Sequence, residues 1–123
     1  MNTLYLKATE DTPEVNFDSE QKHYMLSGRS LPEDVTVFFA PVFEWLNQFA
    51  RNPHPAEFQF KLEYFNTASS KIILDMLLKL EEISTDFDQI KVSWYYQEND
   101  EDMLEAGEEY KDLVTVSFTL IPY

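Results

Sequence analysis

One stretch of the chain decides how the rest folds: Lys61-Leu62-Glu63-Tyr64-Phe65-Asn66-Thr67-Ala68-Ser69-Ser70-Lys71-Ile72-Ile73-Leu74-Asp75. It begins with alternating apolar and polar residues, which is typical of a β-strand with one buried face. A hydroxyl-rich turn follows and leads into an apolar segment that predicts a helix. Helix N-termini carry backbone N–H groups without partners, and these groups favour negative charge together with the helix dipole. A phosphate added to a hydroxyl at this corner would therefore be held rather than repelled by the backbone.

Length and composition predict a single folded domain that spans residues 1–123. The chain is 44% hydrophobic and contains 10 Phe, 7 Tyr and 2 Trp, which argues for a real core and against disorder. With only 2 Gly, the chain has neither a P-loop nor a dinucleotide-binding fingerprint. It contains no cysteine, which removes disulfides, thiolate metal sites and cysteine nucleophiles and fits a reducing compartment.

The formal net charge is −14, and the 9 Lys and Arg residues form no cluster. Proteins bind nucleic-acid backbones and anionic membranes through clustered cations that displace counterions. We therefore expect no nucleic acid and no membrane among the partners. No apolar run approaches the ~20 residues of a membrane span, and the first residues lack the pattern of a signal peptide. The prediction is a cytoplasmic protein.

Hydrophobic periodicity predicts alternating strands and helices. In chain order, the predicted elements are an edge strand at 4–6, a hairpin with Val15 and Phe17 opposite Tyr24 and Leu26, a helix that begins at Ser30-Leu31-Pro32-Glu33 and ends before 52–55, a strand at 58–64, a helix at 69–84, a strand at 90–96, a helix at 100–112 and a strand at 114–120. The last three strands alternate apolar and polar residues, as strands do when only one sheet face is covered. The predicted fold is α/β, a two-layer mixed sheet with an N-terminal hairpin and helices packed on one face.

Some local signals predict where the helices begin and bend. Ser30 and Glu33 have the spacing of a capping box, with Ser30 as the N-cap. Pro41 lies within the first helical pattern and is expected to kink that helix or divide it. Asn99 is the predicted cap of the third helix. Gly107 costs on the order of 1 kcal/mol there relative to Ala, which either the close approach of another backbone or a local break would explain.

The carboxylate-rich segment Asp100–Glu109 suggests a metal site, but its spacing does not match an EF-hand loop, which needs Gly at position 6 and Glu at position 12. Its acids fit the first turn of a helix, where they complement the dipole. A weak cation site and a partner-facing patch are the alternatives. His23 and His54 belong to no recognisable catalytic or zinc-ligand spacing. We predict no catalytic residue, no metal and no cofactor.

The turn of the opening stretch has a structural and a functional explanation. In the structural explanation, Asn66 or Thr67 caps the second helix and satisfies its first N–H groups. In the functional explanation, a hydroxyl in this turn is phosphorylated, and Lys71, one helical turn further on, pairs with the phosphate.

Several blocks of sequence point to a known family: Thr12-Pro13, Gly28-Arg29-Ser30-Leu31-Pro32-Glu33, Pro41-Val42-Phe43-Glu44-Trp45-Leu46, Phe60-Lys61-Leu62-Glu63-Tyr64-Phe65-Asn66-Thr67-Ala68-Ser69-Ser70-Lys71, Trp94-Tyr95-Tyr96 and Asp100-Glu101-Asp102-Met103-Leu104-Glu105-Ala106-Gly107-Glu108. Together these blocks resemble the SiaC family of bacterial regulatory phosphoproteins. The resemblance covers nearly the whole chain, with the blocks in order. It implies a fold similar to that of anti-sigma-factor antagonists of the STAS type.

The resemblance also implies a function. In that family, a dedicated Ser/Thr kinase phosphorylates the threonine of the Asn-Thr turn, and a PP2C-type phosphatase removes the phosphate. The unphosphorylated form binds and activates a diguanylate cyclase, which raises cyclic di-GMP and promotes biofilm formation or aggregation. Carried over to this chain, the phosphorylation site is Thr67, and Asn66, Ser69, Ser70 and Lys71 surround it at the helix N-terminus. Ala68 departs from the family, in which serine is expected at this position.

Three hypotheses for the function follow. The leading one is a non-enzymatic phospho-switch that binds partner proteins through the surface around Thr67. The second is a constitutive acidic scaffold that uses exposed apolar residues such as Leu74 and Leu78 and does not respond to changes at Thr67. The third is a small cation-dependent enzyme that uses the carboxylates of Asp100–Glu109.

Overall fold

The computed structural model describes residues 3–123, so Met1 and Asn2 of the predicted domain lie outside the described residues. Strands and helices follow one another as β1 (Leu4–Leu6), β2 (Glu14–Asp18), β3 (His23–Ser30), α1 (Val35–Arg51), β4 (Ala56–Phe65), α2 (Thr67–Asp86), β5 (Ile90–Tyr96), α3 (Glu101–Leu113) and β6 (Ser117–Pro122). None of the helices in this range is both long and apolar enough to cross a membrane.

The six strands form one sheet whose spatial order equals the chain order, from β1 to β6. Strands β1, β2 and β3 pair antiparallel, whereas β3, β4, β5 and β6 pair parallel. Adjacent parallel strands need a long crossover connection, and each of the three helices provides one. The predicted hairpin and mixed sheet are therefore confirmed.

One face of the sheet forms the core with the helices, and the other is open. Phe60 on β4 and Phe118 on β6 are buried on the helix side, with Trp94 of β5 between them. The Trp94 ring centroid lies 5.8 Å from that of Phe60 and 6.2 Å from that of Phe118. Lys91 on β5 and Thr119 on β6 point to the opposite face and are exposed, whereas Ser93 on that face is covered and bonded to the Glu57 carboxylate. The predicted arrangement of helices on one face is confirmed.

The end of β3 is shaped by a β-bulge. Leu62 pairs with Gly28 and Tyr64 pairs with Arg29, so the register shifts by one residue at this point. Gly28 has a φ of +99°, a left-handed conformation that glycine adopts without steric cost. After the bulge, Ser30 pairs with Phe65, which brings the ends of the two strands side by side.

The prediction that Ser30 caps the first helix is wrong. Ser30 is the last residue of β3 and is fully buried, because its pairing with Phe65 continues the strand past the capping-box pattern. Helix α1 is capped instead by Asp34, whose carboxylate accepts a hydrogen bond from the Val37 N–H at 3.1 Å. Pro41 does not divide the helix, since α1 continues through it.

Two other boundaries differ from the prediction. The cap of α3 is Asp100 rather than Asn99, since the Asp100 carboxylate accepts a hydrogen bond from the Met103 N–H at 3.0 Å. Strand β6 begins at Ser117 rather than at 114. Val114 and Val116 are buried before the strand begins, so their alternation reflects burial in the core rather than strand pairing.

Candidate functional site

The candidate site lies at the corner where β4 passes into α2. The Asn66 N–H donates a hydrogen bond to the Ser30 carbonyl at 3.2 Å, which ties this corner to the end of β3. Thr67 is the first residue of α2, so the helix begins two residues earlier than the predicted Ser69.

Asn66, and not Thr67, caps this helix. Its backbone is extended, with φ −85° and ψ 178°, and its side-chain oxygen accepts a hydrogen bond from the Ser69 N–H at 2.9 Å. The Asn66 carbonyl accepts a hydrogen bond from the Ser70 N–H, also at 2.9 Å. The N–H groups of Thr67 and Ala68 have no acceptor within residues 3–123. Such unpaired N–H groups at a helix start attract anionic oxygen atoms.

The Ser69 hydroxyl is buried and fully engaged. Ser69 Oγ donates to the Ser30 carbonyl at 2.9 Å and lies 2.8 Å from Ser30 Oγ. Since the single Ser69 proton goes to the carbonyl, Ser30 Oγ donates to Ser69 Oγ. Both side chains are 0% exposed. The pair links the first turn of α2 to the end of β3 and leaves no Ser69 oxygen accessible from solvent.

Ser70 is held from the other side by α3. The Tyr110 hydroxyl donates to the Ser70 carbonyl at 2.8 Å and lies 3.3 Å from Ser70 Oγ. Burial raises the pKa of Tyr110, and the nearby Glu109 carboxylate adds to this, although the contact with Ser70 lowers it. The phenol therefore stays protonated and able to donate. Ser70 itself is only partly exposed.

Thr67 is the exposed hydroxyl of this helical turn. Its side chain is open to solvent, as is that of Ala68. No acidic residue lies in the first turn of α2, and Lys71 is exposed one turn after Thr67. A second cation, the Arg29 guanidinium, lies 5.4 Å from the centre of the Tyr64 ring. The start of α2 thus combines unpaired N–H groups with an exposed cation one turn further on, and Arg29 lies against the residue three positions before Thr67.

The acidic segment takes the helix-terminal arrangement that its spacing predicts. Glu101 and Asp102 lie in the first turn of α3, after the Asp100 cap. Within residues 3–123, no three His, Cys, Asp or Glu side chains are grouped so that they could hold a metal ion. Gly107 is explained by neither predicted cause, since α3 is continuous and the closest neighbours are side chains. A Cβ atom there would lie 2.5 Å from Trp94 Cδ1 and 2.6 Å from Leu120 Cδ2.

The histidines lie away from this corner. His23 begins β3, and His54 follows α1 and contacts the Tyr24 hydroxyl through Nε2. Burial lowers the pKa of His54, and the Lys22 charge lowers it further. Tyr24 and Ser30 are six residues apart on the same strand, which corresponds to about 20 Å. The His54 contact and the Thr67 corner are therefore at opposite ends of β3.

Sequence reasoning missed two residues that support this corner, Ser30 and Tyr110. Ser30 contacts Ser69 across 39 positions and Tyr110 contacts Ser70 across 40 positions. No local pattern indicates such pairings, and the capping-box spacing even assigned Ser30 to another helix.

Comparison with known proteins identifies relatives that match nearly the whole chain. A family model described as SiaC family regulatory phosphoprotein matches residues 6–123. An uncharacterized protein of Pseudomonas aeruginosa (strain UCBPP-PA14) is 29% identical over 121 residues, which cover 98% of this chain and 96% of the relative.

Two crystal structures from Pseudomonas aeruginosa share the fold at 27% sequence identity. One is apo-SiaC, with a TM-score of 0.89. The other contains the diguanylate cyclase SiaD in complex with its activator SiaC, with a TM-score of 0.91. Each match covers 98% of this chain and 99% of the matched chain.

Proposed function

Because this chain belongs to the SiaC family of regulatory phosphoproteins, we propose that it is a non-enzymatic switch in which phosphorylation of Thr67 controls binding to an effector protein. The observation that carries the proposal is the contrast within one helical turn. The Thr67 hydroxyl is exposed beside unpaired N–H groups, whereas Ser69 is buried and Ser70 is bonded to Tyr110.

A phosphate on Thr67 would be tolerated by the fold and would change its surface. It adds about −1.5 to −2 charges and three acceptor oxygens, and the start of α2 stabilises negative charge. An effector that covers Thr67 would have to strip water from this dianion, which costs several kcal/mol unless matched groups replace the water. The unphosphorylated form is therefore the binding form in this proposal.

The proposed effector is a diguanylate cyclase. The support is the Pseudomonas aeruginosa SiaC, which is the activator of the cyclase SiaD in the crystal complex. As the family resemblance implies, a Ser/Thr kinase would add the phosphate to Thr67 and a PP2C-type phosphatase would remove it. The output in this proposal is a change in cyclic di-GMP that affects biofilm formation or aggregation.

The test compares Thr67→Ala and Thr67→Glu in binding to the diguanylate cyclases of the host and in the production of cyclic di-GMP. We expect Thr67→Ala to bind like the unmodified protein. Thr67→Glu is expected to bind at least about tenfold more weakly. The matched control is Thr36→Glu, which makes the same charge change at an exposed position in the first turn of α1.

Mass spectrometry of the protein from its host completes the test, and phosphate is expected on Thr67 and not on Ser69. Equal binding by Thr67→Ala and Thr67→Glu would leave a constitutive scaffold as the better description. Tighter binding by Thr67→Glu would reverse the sign of the proposed switch.

A further inference from the structure

A groove opens beside the Thr67 corner, between the end of β4 and the first turns of α3. Its volume is about 370 Å³. The groove exists because the pairing of β4 with β5 ends at Phe60 and Trp94, while β4 continues to Phe65 and β5 leads away into α3. We call it the β4–α3 groove, lined by Tyr64, Phe65, Met103 and Ala106 with the carboxylates of Glu63, Asp100 and Asp102.

The floor of this groove is apolar and packs against the core. Phe65 packs against the rings of Trp94 and Tyr110, with centroid distances of 6.2 and 6.5 Å. Met103 is buried, and its carbonyl accepts a hydrogen bond from the Trp94 indole at 3.0 Å. Tyr64, at the mouth, leaves 47% of its surface exposed. The groove is therefore preformed and offers apolar surface that water covers poorly.

The rim is negative. Glu63 and Asp102 are exposed, and Asp100 is partly exposed. Within residues 3–123, Lys79 and Glu82 on α2 form an ion pair, whereas none of these three carboxylates is paired with a cation of the same chain. An apolar floor with an acidic rim matches an apolar segment flanked by positive charges.

We propose that the β4–α3 groove is a docking surface for a segment of the effector in which apolar side chains are flanked by Lys or Arg. A second copy of this chain fits poorly, because it would bring two molecules of net charge −14 together at their acidic rims. The inference rests on the proposed function for the choice of partner. Phe65 is two residues from Thr67, so the groove lies beside the start of α2.

The experiment measures binding of the full-length protein to the diguanylate cyclase that the Thr67 comparison identifies. Asp102→Lys is expected to weaken binding about tenfold. Glu108→Lys is the matched control, because it makes the same charge change at an exposed position of the same helix outside the groove; we expect less than about a twofold effect. The Asp102→Lys defect should shrink at high salt, because salt screens exposed charges.

Tyr64→Ala tests the apolar part of the groove and lies outside the buried core, since this residue is at the mouth and is 47% exposed. It is expected to weaken binding about tenfold, and Tyr64→Phe is expected to restore most of that affinity. Thermal melting shows whether each variant is folded.

Wild-type affinity in both Asp102→Lys and Tyr64→Ala would overturn the proposal. So would an equal loss in Glu108→Lys, because overall charge rather than the groove would then govern binding. A dimer of this chain in sedimentation that Asp102→Lys dissociates would assign the groove to a second copy instead. If Thr67 variants leave binding unchanged while the groove variants weaken it, the proposed switch fails and the docking surface stands.

Discussion

Thr67 and Ser69 are two positions apart in one helical turn, and their hydroxyls have opposite surroundings. The Ser69 oxygen is enclosed with that of Ser30 and gives its proton to the Ser30 carbonyl. A kinase could reach it only after the start of α2 separated from β3, which would break these buried hydrogen bonds at a cost of about 1–3 kcal/mol for each unsatisfied group. Of the three hydroxyls in this turn, that of Ser69 is buried and that of Ser70 is partly covered, whereas that of Thr67 is exposed. Exposure therefore favours Thr67 as the site of the proposed modification.

Gly107 provides a prediction at the same scale. In Gly107→Ala, the new Cβ would lie 2.5 Å from Trp94 Cδ1 and 2.7 Å from Trp94 Nε1, distances that require the indole to move. Trp94 is fully buried, and its indole donates to the Met103 carbonyl. We expect a loss of about 1–3 kcal/mol in the free energy of unfolding, despite the gain of about 1 kcal/mol in helix propensity.

Urea unfolding measures this loss, with Glu105→Ala as the control at an exposed position of the same helix. That control should change stability by less than about 0.5 kcal/mol. A more stable Gly107→Ala protein would show that the indole has room to move and that the glycine is not required by packing.

The sequence shows that Gly107 is unusual but not why. A glycine inside a helical pattern indicates either that another part of the chain lies close to the helix or that the helix breaks there. The sequence predicts the close approach of a backbone as the first of these causes. The actual neighbours are the side chains of Trp94 and Leu120. Which side chain fills a space depends on how β5, β6 and α3 pack together, and this information is not contained in the spacing of one helix.

At the scale of elements, the caps determine where the helices begin. The Asp34 carboxylate accepts a hydrogen bond from the Val37 N–H at 3.1 Å and places a negative charge at the positive end of α1. We expect Asp34→Ala to lower the free energy of unfolding by about 1 kcal/mol. Chemical unfolding of the two single variants Asp34→Ala and Glu33→Ala tests this.

The Glu33→Ala control removes an exposed carboxylate one residue earlier and leaves the cap in place. Both variants lose one negative charge, so the difference between them measures the cap. A larger loss in Glu33→Ala than in Asp34→Ala would contradict the assignment of the cap and would favour the capping box expected at Ser30.

Strands were more predictable than helix starts for a physical reason. Alternating burial repeats over many residues, so the pattern from Phe58 to Tyr64 and that from Ile90 to Tyr96 identified β4 and β5. A cap depends on one side chain, and two residues of a type that can cap a helix lie near the start of each of these helices: Ser30 and Asp34 for α1, and Asn99 and Asp100 for α3. Strand pairing with Phe65 excludes Ser30 as a cap, and that pairing is a tertiary contact.

The candidate site, like the helices and strands, was predictable only where local sequence pattern determines it. The strand-to-helix corner and its cap follow from local pattern, since Asn66 was one of two expected caps and is the observed one. The exposure of Thr67 and the burial of Ser69 do not follow from composition, because both side chains are small and polar. The partners that hold Ser69 and Ser70 are Ser30 and Tyr110 respectively, and both come from distant parts of the chain.

The molecule as a whole carries a net charge of −14. A phosphate adds about −1.5 to −2 charges to it, a small fraction of the total. The proposed switch therefore does not depend on the overall field of the protein. It depends on where the charge appears, at a helix start that effector binding would cover.

The same background predicts a response to salt. Nine positive residues face 23 acidic ones, and the Lys79–Glu82 pair, at 3.6 Å, lies at the surface and connects neighbours on one helix. Self-repulsion of this kind destabilises the compact state. The screening length shortens from about 30 Å at 0.01 M to about 10 Å at 0.1 M ionic strength, so repulsion between distant carboxylates fades over this range.

We therefore expect the melting temperature to rise by about 3–6 °C between about 0.01 M and about 0.1 M NaCl, as measured by circular dichroism. KCl should give the same rise, since screening depends on ionic strength and not on the identity of the cation. A variant with Glu101→Lys and Glu108→Lys carries less negative charge and should respond less. An unchanged or lower melting temperature would show that the carboxylates are balanced locally, and a rise with only one of the two salts would indicate a bound cation.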